Sequence, residues 1–249
     1  MKRILSIDVL KCISIYLVIL GHLLPESKIF GWIYGFHVPL FFFLSGLLDK
    51  KHNITQYIKR LILPYVSLNL IYMIVEIPWK LLKKQNISFV FNDLISLIPS
   101  STHPTPINYP LWFLLVLFLI KTTMNVIHRD SRLLFMTALF SILTIYYNNN
   151  IWISMFLTGY IHYLCGYCFK SIIGQTINIH SNNLFYIYSI IGLVLFSIYT
   201  ITSCYTFIPS WHAFHTCWYS ILLTYSMIIG LVFLSNSILT RFNIWGGKT

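Results

Sequence analysis

Residues 4–24 read ILSIDVLKCISIYLVILGHLL, an apolar stretch that also contains Asp8, Lys11 and His22. Hydrocarbon offers no water to backbone N–H and C=O groups, so a stretch of this length inside a bilayer must close its hydrogen bonds internally, as a helix. The charged residues and the lack of an Ala-x-Ala-like cleavage site distinguish it from a signal peptide. We therefore predict a first membrane-spanning helix that is retained in the mature protein.

Apolar runs of similar length continue along the chain. Of its 249 residues, 57% are hydrophobic and 9% are charged, and the mean hydropathy is +0.74, whereas soluble domains carry roughly 25% charged residues. The runs are continuous rather than alternating, which favours helices over a β-barrel. We predict an all-α, polytopic transmembrane bundle that forms a single domain over residues 1–249. It has about eight spans, at residues 4–24, 30–48, 61–82, 110–127, 133–148, 151–169, 184–202 and 217–234.

The distribution of basic residues predicts the orientation of this bundle. Lys11 lies within a span, and most of the other Lys and Arg residues fall in the segments on one side of the predicted spans. By the positive-inside rule, both termini are cytoplasmic in a multi-pass protein of the cell membrane. Because the net charge of +11 is dispersed among the span ends, it does not indicate nucleic-acid binding.

The first span carries its polar residues on one stripe. At about 100° per residue, Lys11 and His22 lie about 20° apart around the helix and roughly 16 Å apart along it, and Asp8 lies about 60° from Lys11. Ionisable residues inside spans usually mark a site or a pathway, and this spacing suits a long ligand. The alternative interpretation pairs Asp8 with Lys11 near the inner interface and leaves His22 among lipid headgroups.

Further motifs follow in order along the chain. The second span contains HVPLFFFLSG at residues 37–46, the third is entered through KRLILPY at residues 59–65, and the fourth begins with LWFL at residues 111–114. With VILGH at residues 18–22, these motifs resemble the membrane-bound acyltransferase-3 family. The likeness is greatest to the sugar O-acetylase branch, of the fucose 4-O-acetylase type. Members carry a basic residue, ten intervening positions and a histidine, and Lys11 and His22 match that spacing.

This resemblance implies an O-acyltransferase that moves an acetyl or similar acyl group from acyl-CoA to a hydroxyl of a cell-surface or lipid-linked carbohydrate. By the same match, His22 is the catalytic residue, Lys11 helps to hold the donor, and Lys59 with Arg60 receives its phosphates. A neutral imidazole suits the task, because it can take the hydroxyl proton or accept the acyl group itself. The residues expected to orient His22 or to bind substrate are Asp8, His37, Ser45 and Trp112.

Each of these assignments has a structural alternative. Lys59 and Arg60 also fit ordinary anchoring at the inner membrane face, and Trp112 also fits an interfacial aromatic belt. We expect Cys12 to be a buried filler residue. The pair Cys165 and Cys168 lies in an apolar span without the context of a redox motif.

We predict no metal site and no permanently bound cofactor, because His212 and His215 lack the further ligands that a metal needs. Acyl-CoA enters as a co-substrate, and the lipid bilayer and a glycan acceptor are the other expected partners.

Three further interpretations stay open at this point. A transporter or flippase for a sugar or lipid would use buried His and Lys residues as a relay, and a partner subunit would have no chemistry of its own. Members of the family have about ten spans, and the closing WGGKT at residues 245–249 resembles the lead-in to a last helix. We therefore expect the domain to be incomplete at its C-terminus, which keeps an inactive truncated acyltransferase as the third interpretation.

Overall fold

Helices make up all the regular structure that the computed structural model describes. The described residues are 5–23, 28–83, 111–127, 130–147 and 151–176, with 187, 190–195, 197–198, 225–232 and 234. The all-α prediction is confirmed. The elements are α1 (Leu5–Leu23), α2 (Lys28–Leu47), α3 (Ile54–Tyr57), a π-helical turn (Ile58–Ile62), α4 (Leu63–Leu82), α5 (Trp112–Val126), α6 (Ser131–Tyr147) and α7 (Ile151–Thr176).

The first six predicted spans coincide with helices, with two differences. The helix of the third predicted span comprises α3, the π-helical turn and α4 and is continuous over Ile54–Leu82, so it begins before residue 61. The helix of the sixth predicted span, α7, continues beyond residue 169 to Thr176. Among the residues described, Ile54–Leu82 is the one helix long and apolar enough to cross a membrane by length and composition. The prediction of about eight spans stays a prediction, because much of the last two spans lies outside the described residues.

The contacts within the chain divide it into two compact units. The first comprises Met1–Asp49 and His162–Thr249, and the second comprises Lys50–Ile161. The boundary falls within α7. Each unit has its own buried residues.

In the first unit, α1 packs against α2 through a narrow stripe. Buried positions on α1 lie three, four and seven residues apart, as expected of a helix with one packed face; they are Ile7, Leu10, Ser14 and Gly21. Their apolar members join a cluster that includes Phe36, Leu40, Phe43 and Leu44 of α2. The opposite side of α1 is exposed and apolar, at Ile13, Tyr16, Ile19 and Leu23. The expectation that Cys12 is buried is wrong, because it lies on this exposed side.

The other contact of α2 is with α7, at two glycines. A Cβ added at Gly46 would overlap the backbone carbonyl oxygen of Tyr163, and a Cβ added at Gly166 would overlap that of Phe43. The helices therefore touch backbone to backbone, an approach that only the smallest residues permit. This contact fixes where α2 and α7 cross.

In the second unit, the long helix is interrupted by its π-helical turn. Leu63 N–H donates to the carbonyl of Ile58, a bond that spans five residues instead of the four of an α-helix. Pro64 follows at once, and its missing N–H and its ring are incompatible with an α-helical bond to the carbonyl of Arg60. The wider turn accommodates the proline, as π-helical turns do within longer helices.

We predict that Gly166→Ala destabilises the protein, because the added methyl group meets the backbone of α2. In an ordinary helix interior the same change stabilises by about 1 kcal/mol, so the sign of the effect is diagnostic. The expected loss is about 1–3 kcal/mol, measured by thermal unfolding in detergent. Cys168→Ala, at an exposed position of the same helix, is the matched control. An equal or higher unfolding temperature for Gly166→Ala would contradict the crossing.

Candidate functional site

The predicted site residues are distributed over both units. Asp8, Lys11 and the backbone of His22 belong to α1, and His37 and Ser45 belong to α2, all in the first unit. Lys59 and Arg60 lie on the π-helical turn, and Trp112 is the first residue of α5, both in the second unit. The side chain of His22 lies outside the described part of the chain.

On α1, the stripe of polar residues runs along the edge of the packed face. Helical geometry places residues 11 and 22 roughly 70–90° from the centre of the buried positions of α1. In agreement with this placement, Lys11 is half-buried. Asp8 is also half-buried, although the same geometry places it about 130° from that centre. Between residues 11 and 22, Val18 on the same stripe is half-buried and Ile15 is exposed. The stripe is thus a border between the side of α1 that packs on α2 and the side that is exposed.

On α2, His37 is buried, with 3% of its surface exposed. Its Nδ1 donates to the backbone carbonyl of Ile33 at 2.8 Å. A carbonyl can only accept, so this bond fixes the tautomer that carries its hydrogen on Nδ1 and leaves the lone pair of the neutral ring on Nε2. Ser45, half-buried, directly precedes Gly46 at the crossing with α7.

On the π-helical turn, Lys59 and Arg60 are both exposed. Nη1 of Arg60 lies 3.1 Å from Nε2 of His52, a residue that the sequence analysis had not singled out. Two adjacent cations on one exposed turn can receive an anion from solution.

Trp112 differs from an interfacial residue in its burial. It is 4% exposed, and its ring meets that of Phe113 edge-on, with 6.4 Å between the centroids. Belt residues place their rings among headgroups, so the surroundings of Trp112 are those of a packed interior residue.

A polar group that the sequence analysis missed ties the end of α2 to α7. Asp49 is 3% exposed. Its Oδ1 accepts a hydrogen bond from Oη of Tyr163 at 2.5 Å, and its backbone carbonyl accepts one from Nζ of Lys170 at 2.8 Å. The one available signal was the position of Asp49, an acidic residue at the end of an apolar run; its partners could be found only once the crossing of α2 and α7 was known.

A second missed group also lies in the first unit. Nδ1 of His162 lies 2.6 Å from Oη of Tyr225, and the two rings are in contact at 5.4 Å. Next to them on α7, Cys165 and Cys168 are thiols without a disulfide. Among the described residues no group of three or more His, Cys, Asp or Glu could hold a metal ion, and His212 with His215 lies outside those residues.

Comparison with known families identifies the chain. The acyltransferase-3 family model, described as an acyltransferase domain, matches residues 4–248. No curated protein and no solved structure matches the chain. The match covers nearly the whole sequence, including α1 to α7. Because of this coverage, the chain belongs to the acyltransferase-3 family and is an acyltransferase.

Proposed function

We propose that the chain is a multi-pass O-acyltransferase of the cell membrane, with both termini in the cytoplasm. It moves an acetyl or similar acyl group from acyl-CoA to a hydroxyl of a cell-surface or lipid-linked carbohydrate. Acyl transfer follows from the family. The observation that supports the assignment of the catalytic and donor-binding residues is that Lys11 and residue 22 lie on one border of α1, and α1 packs against the helix that holds the buried His37.

Exposed apolar surface supports the membrane assignment. On α4, large hydrophobic residues face outward, among them Leu63, Ile71, Ile74, Val75 and Leu82, and α6 exposes Leu133, Phe135, Met136, Leu139 and Phe140. Soluble monomers rarely expose contiguous apolar patches larger than a few hundred Å². Of the most apolar window of Ile54–Leu82, only 22% is buried. Such a helix suits hydrocarbon around it.

The donor is recognised by its phosphates in this proposal. Coenzyme A carries several phosphate charges at one end and the thioester at the other. The exposed cations of Lys59 and Arg60 suit the phosphates, because a guanidinium forms paired, charge-assisted hydrogen bonds with phosphate oxygens. Lys11 contributes a further cation to the donor, on the same stripe of α1 as His22.

The chemistry at His22 is a single acyl transfer. The hydroxyl oxygen of the sugar attacks the thioester carbonyl, and the imidazole of His22 takes the hydroxyl proton. The C–S bond then breaks, and the coenzyme A thiolate leaves and regains a proton from the imidazolium. In the covalent variant, the imidazole of His22 attacks the thioester and the coenzyme A thiolate leaves. The sugar hydroxyl then attacks the acyl-imidazole, the imidazole leaves from the acyl group, and the hydroxyl proton passes to the thiolate. The residues proposed to orient the ring or to bind the acceptor are Asp8, His37, Ser45 and Trp112.

We predict that His22→Ala lowers acyl transfer at least about 100-fold, the usual contribution of a general base. Membranes that contain the full chain would receive radiolabelled acetyl-CoA and a glycan acceptor, and label on the acceptor would be counted. Leu23→Ala, at an exposed neighbouring position, should keep its activity. Labelling that persists at the wild-type rate in His22→Ala removes His22 from the mechanism.

We predict that Lys59→Gln and Arg60→Gln each raise the KM for acetyl-CoA about five- to tenfold, because each removes roughly 1–1.4 kcal/mol of binding. The kcat should change little, since the phosphates are remote from the reacting carbonyl. Arg132→Gln, which removes an exposed cation at the start of α6, is the control. If all three variants have the same KM as the wild type, the phosphates bind elsewhere.

A further inference from the structure

The linker between α2 and α3 holds His52 by its backbone. The N–H of His52 donates to Oη of Tyr57 at 3.2 Å, and its carbonyl accepts a hydrogen bond from Nδ2 of Asn125 at 2.7 Å. Oη of Tyr57 in turn donates to the carbonyl of Lys50 at 3.1 Å. These bonds connect the linker to α3 and α5, so the position of His52 is set by two helices of the second unit.

The ring of His52 is held as well. It packs edge-on against the ring of Tyr57, with 5.8 Å between the centroids. Tyr57 is 2% exposed, so the ring of His52 packs against a buried side chain. Nζ of Lys121 lies 5.8 Å from the centre of the Tyr57 ring, which places a cation of α5 near the same aromatic side chain.

This fixed ring is the partner of Arg60. The separation between Nη1 of Arg60 and Nε2 of His52 is 3.1 Å. A guanidinium has only donors, so the ring nitrogen must accept, which requires a neutral imidazole with its hydrogen on Nδ1. A carboxylate in the same place would neutralise the charge of Arg60. A neutral acceptor orients the guanidinium and leaves its full positive charge for another ligand.

We infer that His52 is a positioning residue for the acyl donor: its neutral ring holds the guanidinium of Arg60 on the π-helical turn, ready to receive a phosphate group. The inference rests on the proposed function, which places the donor phosphates at Lys59 and Arg60. An arginine side chain loses rotamer freedom when it binds a ligand. Holding it beforehand reduces that cost and strengthens binding without a direct contact between His52 and the donor.

The test compares two substitutions in the full chain in membranes. His52→Phe keeps an aromatic ring against Tyr57 and removes the acceptor, whereas His52→Gln keeps an acceptor on a side chain of similar reach. The expected result is a KM for acetyl-CoA about fivefold higher in His52→Phe, with kcat unchanged, and a KM near the wild-type value in His52→Gln. A merely structural role would lower kcat in His52→Phe, and equal losses in both variants would also overturn the inference.

A double-mutant cycle then asks whether His52 acts through Arg60. In the Arg60→Gln background, His52→Phe should raise the KM no further, because the side chain it orients is absent. If the double variant instead raises the KM by the product of the two single-variant factors, the two residues act independently and the inference is overturned. The proposed function fails by a different result. If Arg60→Gln leaves the KM unchanged, the donor phosphates are elsewhere. If Arg60→Gln raises the KM and His52→Phe does not, only the positioning role is rejected. Equal amounts of folded protein in membranes are verified for every variant.

Discussion

The backbone contacts of Gly46 with α7 and of Gly166 with α2 are the constraint on which the first unit depends. A side chain at either glycine would meet a carbonyl oxygen of the other helix, so the crossing of α2 and α7 has one position along each helix. The bonds from Tyr163 and Lys170 to Asp49 lie beside this crossing and prevent the end of α2 from sliding. The helix α2 also packs against Ile7 and Leu10 of α1. The position of the polar border of α1 therefore depends on the packing of α1 against α2, and the position of α2 depends in turn on its contact with α7 at the two glycines.

In the second unit, a proline is the residue that constrains the backbone. Pro64 interrupts the α-helical bonding of the long helix, and the π-helical turn that results carries Lys59 and Arg60. The side chains of Lys59 and Arg60 are exposed, while the neighbouring residues are positioned by packing and hydrogen bonds. Tyr57 is buried, the linker is bonded to it and to Asn125, and His52 offers Arg60 a neutral partner. An exposed cation that is positioned by hydrogen-bonded neighbours is the arrangement expected where a flexible, highly charged ligand must bind with little loss of entropy.

Much of the fold could be predicted from the sequence, because each of the first six long apolar runs, which the structure describes, becomes a helix and the polar residues between these runs mark the helix ends. The early start of the third helix at Ile54 could not, since residues 54–60 include the polar residues Thr55, Gln56, Lys59 and Arg60 and so do not form a continuous apolar run. Cys12 was wrongly expected to be buried, because an apolar helix does not reveal from its sequence which side packs against protein. The periodicity did place Lys11, Asp8 and residue 22 on one stripe. It could not reveal that the stripe lies at the edge of the packed face. Nor could it reveal that Tyr163 bonds to Asp49 in the first unit, because these residues are distant in sequence, or that Arg60 bonds to His52 in the second unit, because that contact depends on how the linker folds.

The central claim is that the border of α1 between Lys11 and His22 lines the space in which the acyl donor binds. Cysteines placed singly at Ile15 and Val18 on the border, and at Ile13 and Tyr16 on the exposed apolar side, would be reacted with a maleimide in membranes after the native cysteines are replaced. The account predicts that positions 15 and 18 react and are protected by acetyl-CoA. Positions 13 and 16, which the proposed function places against lipid, should react slowly and should not be protected. Protection at positions 13 and 16, or none at positions 15 and 18, would contradict it.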